Sequence, residues 1–231
     1  MPAWRTQGVS VFGMGSDGSP AWLLILGGGF AGLALSPITE ILIAKRIPRL
    51  GALPTLPVRI TTAMLTALLC AAFSLRFGMS FALPAFIFLG VLGIQLARID
   101  ISLHLLPNPL VLALLLGGLV LFLMPGLFDQ QADNLLRAVL GAVILFFGYL
   151  ILGLISPGGI GMGDVKLAAP VGLFLGYLGW SQLLYGGLLG FVLNGLTTVV
   201  ILGRKSRNKA TEVAHGPSML GATVAAALFL L

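Results

Sequence analysis

The chain has 231 residues, of which 58% are hydrophobic and only 9% charged, and its mean hydropathy is +1.08. A water-facing globule carries roughly a quarter charged residues, so this composition excludes an ordinary soluble domain and makes lipid the main solvent. In so apolar a chain the net charge of +6 belongs to loops that set membrane topology, not to nucleic-acid contact.

Residues 1–20 read as an irregular tail. Its early base, Arg5, is separated from the first apolar run by polar Gly/Ser-rich sequence, so no cleavable signal is expected. A spanning helix takes about 20 apolar residues. The first such run, about 21–44, ends at Lys45-Arg46 and is followed by a basic, proline-bearing loop over 45–59. The second and third runs, about 60–75 and 79–97, are separated by Arg76-Phe77-Gly78. After Arg98-Ile99-Asp100 the fourth run, Leu105 to Phe128, is entered through Pro107-Asn108-Pro109. Asp129 and Asp133 mark a polar loop before the fifth run, about 135–155.

A glycine-rich turn, Ser156-Pro157-Gly158-Gly159-Ile160-Gly161-Met162-Gly163-Asp164, then leads into the sixth run at about 165–179. The seventh covers about 181–203, a loop with Arg204, Lys205, Arg207 and Lys209 follows, and the eighth runs from Pro217 to Leu231. The sixth and eighth are the shortest. The expected fold is therefore all-α, a polytopic membrane helix bundle of about eight transmembrane helices, with 21–231 forming a single membrane-embedded domain.

Eight spans divide the loops between two sides. One side collects ten bases: Lys45, Arg46, Arg49, Arg59, Arg98, Lys166 and the four of the last loop. The other collects Arg5, Arg76 and Arg137, which completes the 13 in the chain. Positive charge is retained in the cytoplasm, so both termini are expected outside.

Cys70 is the lone cysteine, inside an apolar run, and reads as a small buried side chain. His104 and His215 are far apart in sequence, and no CxxC pair is present, so no metal site and no cofactor are expected.

The seven acids separate by position. Asp17, Asp129 and Asp133 sit in outer polar segments and Glu212 in the last basic loop, where solvation accounts for them. Glu40, Asp100 and Asp164 fall at or near the cytoplasmic ends of spans. Acids at membrane depth are costly unless paired, neutral or water-lined, which makes them functional candidates. For Glu40 a structural hydrogen-bonding role is favoured over a place in a site.

Asp100 ends the third span and Asp164 begins the sixth, so both lie on the same side at similar depth. Two carboxyls that share a site cannot both ionise readily, and they titrate as a unit. This is the arrangement an aspartic peptidase uses. Gly161 and Gly163, lacking Cβ, let the backbone turn sharply and approach an extended peptide. Lys166 either draws Asp164 toward ionisation or snorkels to the interface. On spacing and glycine alone, a structural turn capped by Asp is as good a reading as catalysis.

The segment from Arg98-Ile99-Asp100 to Leu105-Leu106-Pro107-Asn108 resembles the first active-site segment of the type IV prepilin peptidases and archaeal preflagellin peptidases. Gly161-Met162-Gly163-Asp164-Val165-Lys166 is similar to the second, GxGD followed by an apolar residue and Lys. Gly216-Pro217 resembles the late Gly-Pro segment of that family. The resemblance, over about residues 90–225, implies that Asp100 and Asp164 are the catalytic acids. It also implies supporting positions for Gly161, Gly163, Lys166, Pro107 and Asn108. It implies a membrane aspartyl endopeptidase that cuts the short basic leader from prepilins or pseudopilins at the cytoplasmic boundary. The partners are those substrates and membrane lipid, with no nucleic acid; no oligomeric state follows from the sequence. Many bacterial members carry a cysteine-bearing cytoplasmic domain associated with N-methylation. The 45–59 loop is too short for it and has no cysteine, so cleavage carries over and methylation does not.

Three rival readings remain, the first from a different class and the last another intramembrane aspartyl protease. Intramembrane acids also serve small ion-coupled transporters, but no inverted repeat relates the two halves. A non-catalytic secretion-assembly factor would use the acids as caps. A presenilin-like protease would pair GxGD with Tyr-Asp, whereas Asp100 follows Ile99.

Overall fold

A computed structural model of the chain describes residues 20–48, 53–155, 160–204 and 215–230. Residues 1–19 of the expected tail, Arg49, the turn residues 156–159, and Lys205, Arg207, Lys209 and Glu212 lie outside the described residues. The described chain is all-α, with helices α1 (Ala21–Arg46), α2 (Leu56–Phe77), α3 (Leu83–Leu103), α4 (Asn108–Phe128), α5 (Ala132–Ile155), α6 (Met162–Leu178), α7 (Trp180–Arg204) and α8 (Gly216–Phe229). Among the described residues five of them, α1 to α5, are long and apolar enough to cross a membrane, which makes this a multi-pass membrane protein. The sixth and eighth runs, short in sequence, form helices of 17 and 14 residues.

The helix starts follow proline. Pro57 lies in the first turn of α2, where its missing N–H is harmless. The helix therefore begins four residues before the apolar run that suggested it, and Arg59 is helical where the sequence placed it in a loop. Pro109 and Pro217 occupy the corresponding positions in α4 and α8.

The chain divides into two compact units, one running to Gln95 and the other from Leu96. In the first, Gly28, Gly32, Ser36 and Glu40 form a buried seam on α1 at four-residue spacing, facing α2. A Cβ on Gly32 would stand 2.7 Å from Ala67 Cα, the close approach that small residues allow between helices in lipid. Glu40 is buried and its Oε2 accepts from Arg59 Nε at 3.0 Å, while Oε1 has no partner among the described residues. The structural role expected for Glu40 is thus an ion pair from α1 to α2. Gln95 Nε2 donates to Ser36 Oγ at 3.5 Å, and Phe73 packs against Phe77 and Phe86.

In the second unit α6 is central, with α4, α5, α7 and α8 packed against it. Every residue from Pro170 to Leu178 is buried, as expected of a helix that is apolar all round. Enclosure by protein, not lipid, removes the need for full spanning length. By contrast α5 buries one face, Asn134, Ala138, Gly141, Ala142 and Tyr149, and leaves Leu136, Ile144, Phe147 and Ile151 exposed. Glycines bring α5 and α6 together: a Cβ on Gly141 would stand 2.5 Å from the Gly172 carbonyl oxygen.

The last carbonyls of a helix lack partners within it. At the end of α6, Arg137 of α5 supplies them, with Nε donating to Gly176 O at 2.7 Å and Nη2 to Tyr177 O at 2.9 Å.

Candidate active site

Asp164 is placed by the helix that GxGD begins. Gly161 is the N-cap of α6, with φ −69° and ψ 143°, so Asp164 is the third helical residue. Its backbone N–H donates to Gly161 O at 3.0 Å, and its carboxyl faces the Gly161 N–H in return. This is the acidic half of a capping box; the other half is missing, because Gly161 has no side chain to accept the Asp164 N–H. Neither glycine needs a left-handed backbone here; what they supply is space. A Cβ on Gly161 would stand 3.2 Å from Asp164 Oδ2, and one on Gly163 3.2 Å from Leu106 Cβ.

Asp100 lies in the last turn of α3 and is 5% exposed. The helix ends in the left-handed manner usual for glycine, but with His104 at φ 50° and its N–H donating to Asp100 O at 2.8 Å. A non-glycine residue there is uncommon. The chain then turns through Leu106 into α4, with Pro107 as N-cap and Asn108 as first residue. The Asp100 carboxylate accepts, at Oδ2, the backbone N–H of Gly216 at the start of α8, 3.2 Å away. A Cβ on Gly216 would stand 2.7 Å from that oxygen and 3.4 Å from Leu106 Cδ1.

Leu106 therefore touches both the GxGD helix and the Gly-Pro helix, and the two acids come together around it. Each sits at a helix N-terminus, Asp164 at that of α6 and Asp100 at that of α8, where N–H groups and the helix dipole favour an anion. The Asp164 carboxyl is within reach of the Asp100 charge. Of the supporting positions, Lys166 Nζ donates to Asn108 Oδ1 at 3.0 Å, on the exposed side. It thereby ties the start of α6 to the start of α4. Among the described residues no three His, Cys, Asp or Glu side chains gather closely enough to hold a metal ion.

Two residues that the sequence reading passed over border this pair. Tyr149, from the buried face of α5, places its hydroxyl 3.1 Å from His215 Nε2, within reach of the Asp164 charge. Phe191 of α7 stacks on Tyr149 with ring centroids 5.0 Å apart and meets the His215 ring at 5.5 Å. The signal available was adjacency: His215 directly precedes Gly216-Pro217.

A multi-pass membrane helix protein with two acids, Asp100 buried and Asp164 half-buried, gathered at the ends of its helices is the class these features define. The model of the type IV leader peptidase family matches residues 86–202, just over half of the chain, including Asp100, Tyr149 and Asp164. The chain belongs to the type IV leader peptidase family. It is similar to the prepilin leader peptidase/N-methyltransferase of Bacillus subtilis, with 30% identity over 167 residues, 72% of this chain and 64% of that protein. The protein of the same name from Xanthomonas campestris pv. campestris is 34% identical over 156 residues, 67% of this chain and 53% of its own length. That from Pseudomonas aeruginosa is 33% identical over 155 residues, covering 66% and 51%. The chain thus spans between half and two thirds of the length of these relatives. No solved structure matches it.

Proposed function

We propose that this protein is a membrane aspartyl endopeptidase that removes the short basic leader from type IV prepilins or pseudopilins at the cytoplasmic boundary of the membrane. The observation that carries the reading is the approach of Asp100 to Asp164, from helices 64 residues apart in the chain, around Leu106. That the relatives are prepilin leader peptidase/N-methyltransferases supports the substrate class. The ten-to-three division of bases supports eight spans with both termini outside and the acids on the cytoplasmic face.

One carboxyl acts ionised and the other protonated. The ionised member takes a proton from water as its oxygen attacks the scissile carbonyl carbon. The protonated member hydrogen-bonds the carbonyl oxygen and offsets the charge that develops there. Collapse of the tetrahedral species breaks the C–N bond, and the proton taken from water passes to the departing amine. No covalent acyl-enzyme is needed. The donors at the helix N-termini hold whichever acid is ionised. The single helix of such a substrate lies in lipid, so it enters between spans, and the basic loops serve topology and anionic lipid. Methyl transfer is left out of the proposal, because the connection between α1 and α2 holds no cysteine.

The test is incubation of the detergent-purified protein with candidate prepilins, read by mass as N-terminal shortening. Loss of shortening in Asp100→Asn and in Asp164→Asn is expected; processing by either variant would overturn the dyad.

A further inference from the structure

The feature that the dyad leaves unused is a buried polar pair in an otherwise apolar wall. Tyr149 is 3% and His215 9% exposed. Polar side chains this buried are costly unless each hydrogen bond has a use. The Tyr149 hydroxyl is 3.1 Å from His215 Nε2, and among the described residues the buried Nδ1 of the same ring has no partner. Phe191 stacks on Tyr149 and packs against His215, so both rings are fixed from the α7 side.

Position makes the pair relevant to both acids at once. His215 is the N-cap of α8, and its carbonyl accepts the N–H groups of Ser218 and Met219 at 3.1 and 3.2 Å. Where its ring is held therefore decides where the next peptide points, and that peptide carries the Gly216 N–H that donates to Asp100. At the other end of the pair, Tyr149 lies within reach of the Asp164 charge. Burial holds the His215 imidazole below its ordinary value, so the ring is neutral near pH 7. A neutral ring has one N–H and one lone pair. With its proton on Nε2, it donates to the Tyr149 oxygen and leaves the phenolic hydrogen free to turn toward Asp164.

Resting on the dyad reading above, we propose that Tyr149 and His215 are positioning residues of the peptidase. The pair orients a hydroxyl toward Asp164 and, through the Gly216 peptide, an amide toward Asp100, so that the acids keep their relative placement while a proton is shared between them.

The test compares steady-state cleavage, in detergent, of a purified precursor carrying a short basic leader and an apolar helix. The enzymes are wild type, Tyr149→Phe, His215→Phe, His215→Gln and Asp164→Asn, each with its thermal midpoint measured. Tyr149→Phe keeps the ring and removes only the hydroxyl; His215→Phe puts a somewhat larger aromatic ring without polar atoms in place of the imidazole, and its thermal midpoint reports the packing cost. Hydrogen bonds to charged groups are worth enough that kcat should fall about 10- to 100-fold, with KM within about twofold. His215→Gln, which returns an amide near the place of Nε2, should recover part of that loss. Wild-type kcat in both Phe variants overturns the positioning role. So does a loss that tracks the thermal midpoint and is no smaller in Gln than in Phe, because packing alone would then account for it. Cleavage by Asp164→Asn fails the dyad itself, a result distinguishable from either.

Discussion

The backbone N–H of Gly216 donates to Asp100 Oδ2 across 3.2 Å, although 116 residues separate them in the chain. One helix thus ends on a carboxylate and another begins on it. A methyl group at position 216 would stand 2.7 Å from that oxygen. Gly216→Ala should therefore displace the carboxylate and lower kcat about 10- to 100-fold, since charge-assisted hydrogen bonds of this kind are among the stronger ones. Kinetics on membrane-inserted variant at wild-type abundance check it; unchanged kcat would mean that Asp100 does not depend on this contact.

Replacing either acid by its amide keeps the shape and removes the proton chemistry. Asp100→Asn and Asp164→Asn should each lose at least about a thousandfold in cleavage, and the double variant should lose little more, because residues that act as one unit are not additive. Additive losses in the double variant would indicate two independent roles.

Lys166 contacts Asn108 from the exposed side. An exposed polar pair contributes about 1 kcal/mol at most, so Lys166→Ala should change kcat by less than about fivefold. The pH profile of kcat/KM should keep its shape. A displaced acid limb would assign Lys166 to the charge state of Asp164 instead.

Arg137 holds the carbonyls at the end of α6. Arg137→Met retains the length of the side chain and leaves those acceptors without a donor, a cost of about 1–3 kcal/mol. The thermal midpoint in detergent should drop by several degrees, with kcat per folded enzyme little changed. A stable Arg137→Met variant would show that water satisfies the α6 terminus equally well.

The apolar runs announce the helices because a lipid-facing stretch must be continuous, and their ends fall where Lys45-Arg46 or Pro107-Asn108-Pro109 interrupt it. Position near lipid picks out Glu40, Asp100 and Asp164 together, and only the resemblance of the Asp100 and Gly161-Met162-Gly163-Asp164 segments to a peptidase family separates the last two from Glu40. Partners are another matter. Arg59 reads as a loop base until α2 is seen to begin at Leu56, and only then does it meet Glu40, 19 residues away. Tyr149 and His215 are separated by 66 residues. A tyrosine in an apolar run and an isolated histidine each look like filler. Their meaning comes from α5 and α8 both packing on α6, and no local period encodes that.

Burial of α6 has a further consequence. Helices that touch lipid adjust to the thickness of the hydrocarbon layer by tilting or by deforming it, at a cost per ångström of mismatch. The inner part of α6 has protein on every side, so the depth of Asp164 is set by the helices around it and not directly by the acyl chains. A thinner or thicker bilayer would strain the outer helices first and reach the acid only through them. Membranes of different acyl length should then change the anchoring of the protein sooner than they change the height at which a peptide bond meets its carboxylates.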